Sequence, residues 1–319
     1  MTDLVVGVDV GGTSSRALVV AADGARVGRG ESGGGNPNSH PPELAAKRVA
    51  EAIASALGDE SGADVRGCML GVAGESKFSD PAIVATFEAA LRQVGLECPI
   101  NVVSDAEVAY ASATEEPDGT VVVGGTGSVA ARIINRRKTT WVGGWGWLLG
   151  DEGSAYWIGR EAVRSTLRLL QGTGAAGPLA LAVLAEAFGS TEVSLDELTW
   201  RRRAVNRLIT AANAEAPIRL ARYASMVSEH AAVDPMAVSI VDRAAELLAA
   251  HAVATRTPGE VTPIVLAGSV LGPGSPVGVA VRRVLTEEGE VLFAPDGAIG
   301  AAWLAALAAF GQNAPRPTE

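Results

Sequence analysis

One arrangement occurs twice in this chain, and it constrains the fold more than any other feature: a short β-branched run, a glycine-rich polar turn, and a second β-branched run. The first copy is Leu4-Val5-Val6-Gly7-Val8, the turn Asp9-Val10-Gly11-Gly12-Thr13-Ser14-Ser15, and Arg16-Ala17-Leu18-Val19-Val20. The second follows the turn-like Glu115–Gly119: Thr120-Val121-Val122-Val123, then Gly124-Gly125-Thr126-Gly127-Ser128, then Val129 to Ile134. Each copy carries a hairpin signal with its polar residues in the turn. Behind the first, periodicity predicts a helix over 43–57, a buried strand over 68–74, a helix over 81–94, a strand over 100–103 and a helix from Asp105. Behind the second the chain turns mostly helical, over 155–171, 179–188, 201–215, 218–229 and 235–255, before a strand at 263–266 and a last helix from Gly297. A unit repeated at the head of two α/β halves is the mark of a duplicated domain, with a ligand cleft expected between the copies. The expected halves are residues 1–117 and a larger 118–296 with helical insertions.

Charge and cysteine usage remove several function classes. With 26 basic and 36 acidic residues the chain carries a formal charge of -10, so no basic surface is expected for nucleic acid or an anionic membrane. Its one basic run, Arg201-Arg202-Arg203, reads as a solvated helix face. Cys68 and Cys98 are too few for a zinc cage or a disulfide framework; both are expected to be small core residues in a reducing compartment. Met1-Thr2-Asp3-Leu4 lacks a basic leader, and no apolar run reaches the ~18 residues of a membrane span, so a cytoplasmic protein is expected.

Several constellations could carry chemistry. Asp9 to Thr13 offers glycines, a hydroxyl and a carboxylate, which suit nucleotide phosphates and hydrated magnesium, or else simply close a tight hairpin. Gly124 to Ser128 repeats that equipment, and two such turns could clamp a triphosphate; neither matches a P-loop or a dinucleotide fingerprint. Asp105 follows a strand and starts a helix, so it is either a helix cap or a carboxylate placed to accept a hydroxyl proton. Asn36 and Asn38, in Gly33-Gly34-Gly35-Asn36-Pro37-Asn38-Ser39-His40, suit sugar hydroxyls or turn formation equally, and His40 could join that loop. His230 and His251 read as structural, and Glu115-Glu116 as solvated. The segment from Gly143 to Gly159 combines glycines, the Asp151-Glu152 pair and the indoles of Trp145 and Trp147, which either stack on a ring-shaped ligand or pack the loop.

In order along the chain, these motifs resemble the sugar kinase, Hsp70 and actin superfamily, and specifically its BadF/BadG-type branch. Asp9 to Arg16 is similar to the first phosphate motif of that family, Val123 to Ala130 to the second, Leu266 to Gly272 to the adenosine motif, and Gly297 to Ala302 to the connecting helix. Trp147 to Ile158 is similar to the N-acetylglucosamine kinases of the branch. The resemblance implies duplicated ribonuclease H-like (actin-like ATPase) domains, the first completed by helix 297–310. It further implies ATP and Mg2+ as cofactors, a homodimer, and phosphorylation of the 6-hydroxyl of an amino sugar. N-acetylglucosamine leads, with glucosamine or N-acetylmuramic acid as alternatives. Asp105 would be the base. Asn36, Asn38, Asp105, Thr126, Gly127, Gly144 and Asp151 would contact the sugar, and Gly11, Gly12, Thr13, Ser14, Thr126, Gly268 and Ser269 the nucleotide, with Asp9 holding magnesium through water. The chain departs from the animal enzyme at Val129, where that enzyme has an asparagine, and in lacking an aromatic residue in the early loop. Two other classes compete. A dehydratase activator would need cysteines to share an iron–sulfur cluster, and a non-catalytic sugar sensor would carry a DNA-binding module ahead of the first strand.

Overall fold

A computed structural model describes residues 3–189 and 198–317. In chain order the strands and helices are β1 (Leu4–Val10), β2 (Ser14–Ala21), β3 (Arg26–Gly33), α1 (Pro42–Leu57), β4 (Val65–Val72), α2 (Pro81–Gln93), β5 (Ile100–Ser104) and α3 (Asp105–Ala113). Then follow β6 (Gly119–Gly124), β7 (Ser128–Ile134), β8 (Arg137–Gly143), α4 (Gly146–Leu149), α5 (Ala155–Gln171), α6 (Pro178–Phe188), α7 (Leu198–Asn213), α8 (Ala224–His230) and α9 (Pro235–Ala254). The chain ends with β9 (Ile264–Ala267), α10 (Pro276–Leu285), β10 (Val291–Phe293) and α11 (Gly297–Phe310).

The duplication is written in the sheets. One runs β3-β2-β1-β4-β5 and the other β10-β9-β6-β7-β8, which is the same order read from its opposite edge. In the first, β2 pairs antiparallel with β1 and β3, while β4 pairs parallel with β1 and β5. The chain divides into two units: Met1–Val121, Ile133–Thr139 and Ala294–Glu319 form one, and Val122–Arg132 with Thr140–Phe293 the other.

The first unit owes its core to continuous apolar strands, since β1 and β4 are covered on both faces. Val6, Val8, Leu70 and Val72 pack under α1 and α2, and Val5, Leu18, Met69 and Val103 under α3 and the alanine-rich α11. Missing side chains permit the closest approaches. A Cβ on Gly7 would lie 1.9 Å from Ala302 N, and one on Gly300 would lie 1.9 Å from Val108 O. The edge strand β3 escapes the sequence pattern for the same reason: Gly28 and Gly30 sit under α1, where a Cβ would come within 2.1 Å of the Ala56 and Ala52 carbonyls. Glycines there allow the helix to approach but erase the period-2 signal.

The second unit gathers α5 to α10 around one core that includes Leu179, Leu208, Tyr223 and Leu248. Two expectations change there. Arg201 is not on a solvated face: it is 9% exposed, and its guanidinium donates to the carbonyls of Leu169 (3.1 Å), Gly172 (2.9 Å) and Gly174 (2.8 Å), closing the end of α5. The expected helix over 218–229 is a 3₁₀ turn, Pro217–Tyr223, followed by α8. Tighter winding sets the Leu220 carbonyl against α5, where a Cβ on Gly159 would lie 1.9 Å from it. Among the described residues no helix is long and apolar enough to cross a membrane.

Candidate active site

In the first unit, parallel register collects the candidate residues. Val10 pairs with Val72 and Val72 with Ser104, so β1, β4 and β5 reach their carboxyl ends at one level. The turn after Val10, the Ala73-Gly74 segment and Asp105 therefore leave the sheet together, at the edge where α/β sheets bind ligands.

Asp9 lies on β1, cross-strand from Arg16, and the two form an ion pair. Burial raises the Asp9 carboxyl above its ordinary range, Arg16 counters this, and Asp296 reinforces it. Asp296, which caps α11 through the Ala298 N–H (3.1 Å), also pairs with Arg29 at 2.9 Å. Gly12 and Thr13 are exposed on the turn, and Gly11 N–H donates to Ser14 O at 2.9 Å.

Asp105 is the first residue of α3, but the cap is Ser104. Ser104 Oγ accepts the Glu107 N–H while Ser104 N–H donates to Glu107 Oε2 (2.7 Å), a reciprocal capping box, and Ser104 Oγ also takes the Ala106 N–H at 3.2 Å. The Asp105 carboxylate accepts the Ala106 N–H (2.9 Å) and the Ser104 hydroxyl (3.2 Å). Burial pushes its pKa up, the nearby Asp9 charge adds to this, and Ser104, Ala106 and Lys138 work against it. Such a carboxylate is poised to hold a proton more readily than an exposed one.

The structure separates the two asparagines. Asn36 is 4% exposed and its amide is used within the protein: Nδ2 donates to Ala73 O (2.9 Å), and Oδ1 accepts the Asn38 N–H (2.8 Å). Asn38 is exposed, with Nδ2 donating to Ala73 O and Gly74 O, each at 3.0 Å. Asn36 thus shapes the loop that presents Asn38.

In the second unit, Gly125 N–H bonds Gly127 O (2.9 Å), and the first turn of α5 donates back to this turn, Ala155 N–H to Gly125 O (2.9 Å) and Tyr156 N–H to Thr126 O (3.2 Å). Ser154 caps α5 by accepting the Trp157 N–H at 3.2 Å. Asp151 is 6% exposed with φ +58°, a left-handed conformation that an aspartate tolerates, and its Oδ1 accepts the Ser128 N–H at 3.1 Å. Burial raises its pKa, Ser128 lowers it and Glu152 raises it. A Cβ on Gly127 would lie 2.8 Å from Asp151 Oδ1, so glycine is what lets the carboxylate close on the turn. Gly144, at φ +72°, donates its N–H to Ser128 O (2.9 Å) and sits against Val129. Gly268, at φ +92°, lies where a Cβ would be 2.3 Å from Gly124 O, bringing the candidate adenosine loop onto the same turn. Ser269 then lines a cavity of about 500 Å³ with Ala155, Ser225, Ser228, Glu229 and Gly274. Trp145 is 61% exposed, and Trp147 stands edge-on to Tyr156 with ring centroids 6.0 Å apart.

Sequence reasoning missed Glu107, Lys138 and Asp296. Asp296 carried a signal, an aspartate directly ahead of a glycine that opens a helix. Lys138, which bonds Glu75 Oε1 at 2.6 Å, carried none of its own, although the Thr139-Thr140-Trp141-Val142 run beside it is a strand signal. Cys68 is fully buried, its thiol pushed up by burial, and Cys98 is half-buried.

The model of the BadF/BadG/BcrA/BcrD ATPase family matches residues 6–305. The chain is 32% identical over 167 residues to the N-acetylmuramic acid/N-acetylglucosamine kinase of Clostridium acetobutylicum, covering 51% of this chain and 53% of that protein. It is 28% identical over 176 residues to the N-acetyl-D-glucosamine kinase of Dictyostelium discoideum, covering 52% and 54%. The chain spans about half the length of the curated relatives it matches. In fold it is similar to a candidate N-acetylglucosamine kinase from Chromobacterium violaceum, with a TM-score of 0.75 at 24% identity over 95% of this chain and 99% of that one.

Proposed function

Because the chain belongs to the BadF/BadG/BcrA/BcrD ATPase family, we propose that it is an ATP-dependent sugar kinase that phosphorylates the 6-hydroxyl of an amino sugar, N-acetylglucosamine first. The observation that carries this reading is Asp105: a carboxylate beside the Ser104–Glu107 cap of α3, raised by burial, and standing at the carboxyl end of a parallel strand. In phosphoryl transfer to an alcohol the protein has to take up the hydroxyl proton and aim the oxygen, and Asp105 is suited to both. Asn38 and Asp151 are the side chains proposed to hold the sugar, with Thr126, Gly127 and Gly144 as backbone neighbours and Asn36 acting through the loop. The backbone of Gly11, Gly12, Thr13 and Ser14 would hold phosphate oxygens, and Gly268 and Ser269 would border the nucleoside at the cavity beside them.

Magnesium fits Asp9. Its Oδ2 is taken by Arg16, while Oδ1 receives no hydrogen bond among the described residues. An ion there would be held by this one carboxylate together with waters and phosphates. The ion would offset phosphate charge. Cys68, buried with a raised thiol, does not suit an iron–sulfur ligand, which has to be a thiolate. Unpaired cysteines suit the reducing cytoplasm, and a homodimer belongs to the same reading.

The name of the Clostridium relative supports N-acetylmuramic acid as a second acceptor. A coupled ADP-release assay across N-acetylglucosamine, N-acetylmuramic acid, glucosamine and glucose tests both. Turnover is expected with at least the first; no turnover with any of the four would end the sugar-kinase reading.

A further inference from the structure

The loop 34–40 grips the candidate phosphate turn at two consecutive carbonyls. Asn36 N–H donates to Gly11 O at 3.2 Å, and His40 Nε2 lies 2.8 Å from Gly12 O. A carbonyl oxygen only accepts, so His40 Nε2 carries the hydrogen and donates. Gly34 makes the approach possible, because a Cβ there would fall 2.0 Å from Gly12 O and 2.8 Å from His40 Nε2. The loop is itself anchored, by Arg48 Nη1 to Gly34 O (3.0 Å) and by the Asn36 and Asn38 amides to Ala73 and Gly74.

In a planar trans peptide the C=O and the following N–H point in opposite directions, and no peptide bond among the described residues is cis. A Gly11 carbonyl held by Asn36 therefore turns the Gly12 N–H away from the loop, and a Gly12 carbonyl held by His40 turns the Thr13 N–H the same way. Two consecutive outward N–H groups on an exposed turn are the elements of an anion-binding concavity. Neither glycine is needed for a left-handed φ, since neither Gly11 nor Gly12 adopts one. The orientation of the turn is thus imposed from the side.

We propose that His40 is a positioning residue that orients the Gly12–Thr13 peptide so that its N–H faces the terminal phosphates of a bound nucleotide. The nucleotide half of this inference rests on the ATP-dependent reading above; it does not depend on which sugar is the acceptor. Removing the donor should cost one hydrogen bond's worth of orientation, about 2- to 13-fold in affinity.

The test compares wild type, His40→Ala and His40→Gln by titration calorimetry, without sugar, using a non-hydrolysable ATP analogue, ADP and AMP. H40A should weaken binding of the triphosphate analogue by that factor and leave AMP unchanged, and H40Q, whose side-chain amide can donate to Gly12 O, should recover most of the loss. Equal losses with AMP and the triphosphate, an unchanged triphosphate affinity in H40A, or an H40Q as weak as H40A would each overturn the proposal. So would a wild type that binds no nucleotide. A wild type that binds nucleotide in this His40-dependent way but phosphorylates no sugar would leave the inference standing and end the kinase reading instead.

Discussion

Replacing Asp105 by asparagine separates the chemistry proposed for it from its structural role. The carboxylate accepts the Ala106 N–H at 2.9 Å and the Ser104 hydroxyl at 3.2 Å, and an asparagine oxygen can accept both. Helix α3 keeps its own cap, because Ser104 and Glu107 satisfy each other's backbone donors. What disappears is the charge and the capacity to take a proton. Loss of a general base costs about 10²- to 10⁴-fold, or about 2.7–5.4 kcal/mol of barrier, so kcat in D105N should fall by that factor while sugar affinity changes little. Stability should move the other way. Burial and then Asp9 raise the Asp105 pKa in the folded protein, so the folded state holds this proton at pH values where the unfolded state has released it. The charge therefore costs stability above the folded pKa, and the cost vanishes below the ordinary carboxylate range. D105N should be the more stable protein at neutral pH, with the difference closing as the solution is made acidic, and the wild-type kcat should fall on the acid side at a pH above that of an ordinary aspartate. ADP release, sugar calorimetry and denaturant titrations at neutral and acidic pH measure these quantities. A kcat within tenfold of wild type would remove Asp105 as the base. Sugar binding lost together with stability would make it a structural residue.

Two further substitutions test the packing that places it. Glu107→Ala removes the acceptor for the Ser104 N–H (2.7 Å) and the Lys138 N–H (3.0 Å), and should cost about 1–3 kcal/mol by urea denaturation; E107Q should cost less. Gly300→Ala sets a methyl 1.9 Å from the Val108 carbonyl and should cost at least about 1–3 kcal/mol, against a change within about 0.5 kcal/mol for Gly274→Ala, which meets open space. Equal stability of G300A and G274A would show that α11 does not pack on α3 as described.

Much of the fold was legible because it is encoded locally. The hairpin β1–β2, the run into β6 and β7, the helices starting at Pro81, Asp105, Ala155 and Pro235, and the final helix from Gly297 all follow from periodicity, proline and capping residues. Elements whose residues serve a neighbour were not: β3 gives up its alternation to the glycines under α1, and Arg201, in a basic run that reads as solvated, is spent on three carbonyls of another segment. The site divides the same way. Asp9, Asp105, Asn36, Asn38, Thr126 and Asp151 stand out as polar residues in turns and at strand ends, but that Asn36 is buried and consumed within its loop, or that Asp151 closes on Ser128, is decided by contacts between distant segments.

The repeated strand–turn–strand unit, with glycines and hydroxyls in both turns, establishes from residue order alone that the chain is a duplicated α/β protein carrying two candidate phosphate turns. Which atoms of the first turn face outward depends on loop 34–40, and that Asp105 stands level with that turn depends on the register of β1, β4 and β5. The physical reason is range. Hydrogen bonds within a turn or helix involve near neighbours and leave a pattern in the sequence. Parallel register between strands that are far apart in the chain, and approaches made possible by an absent Cβ, exist only once the sheet has assembled.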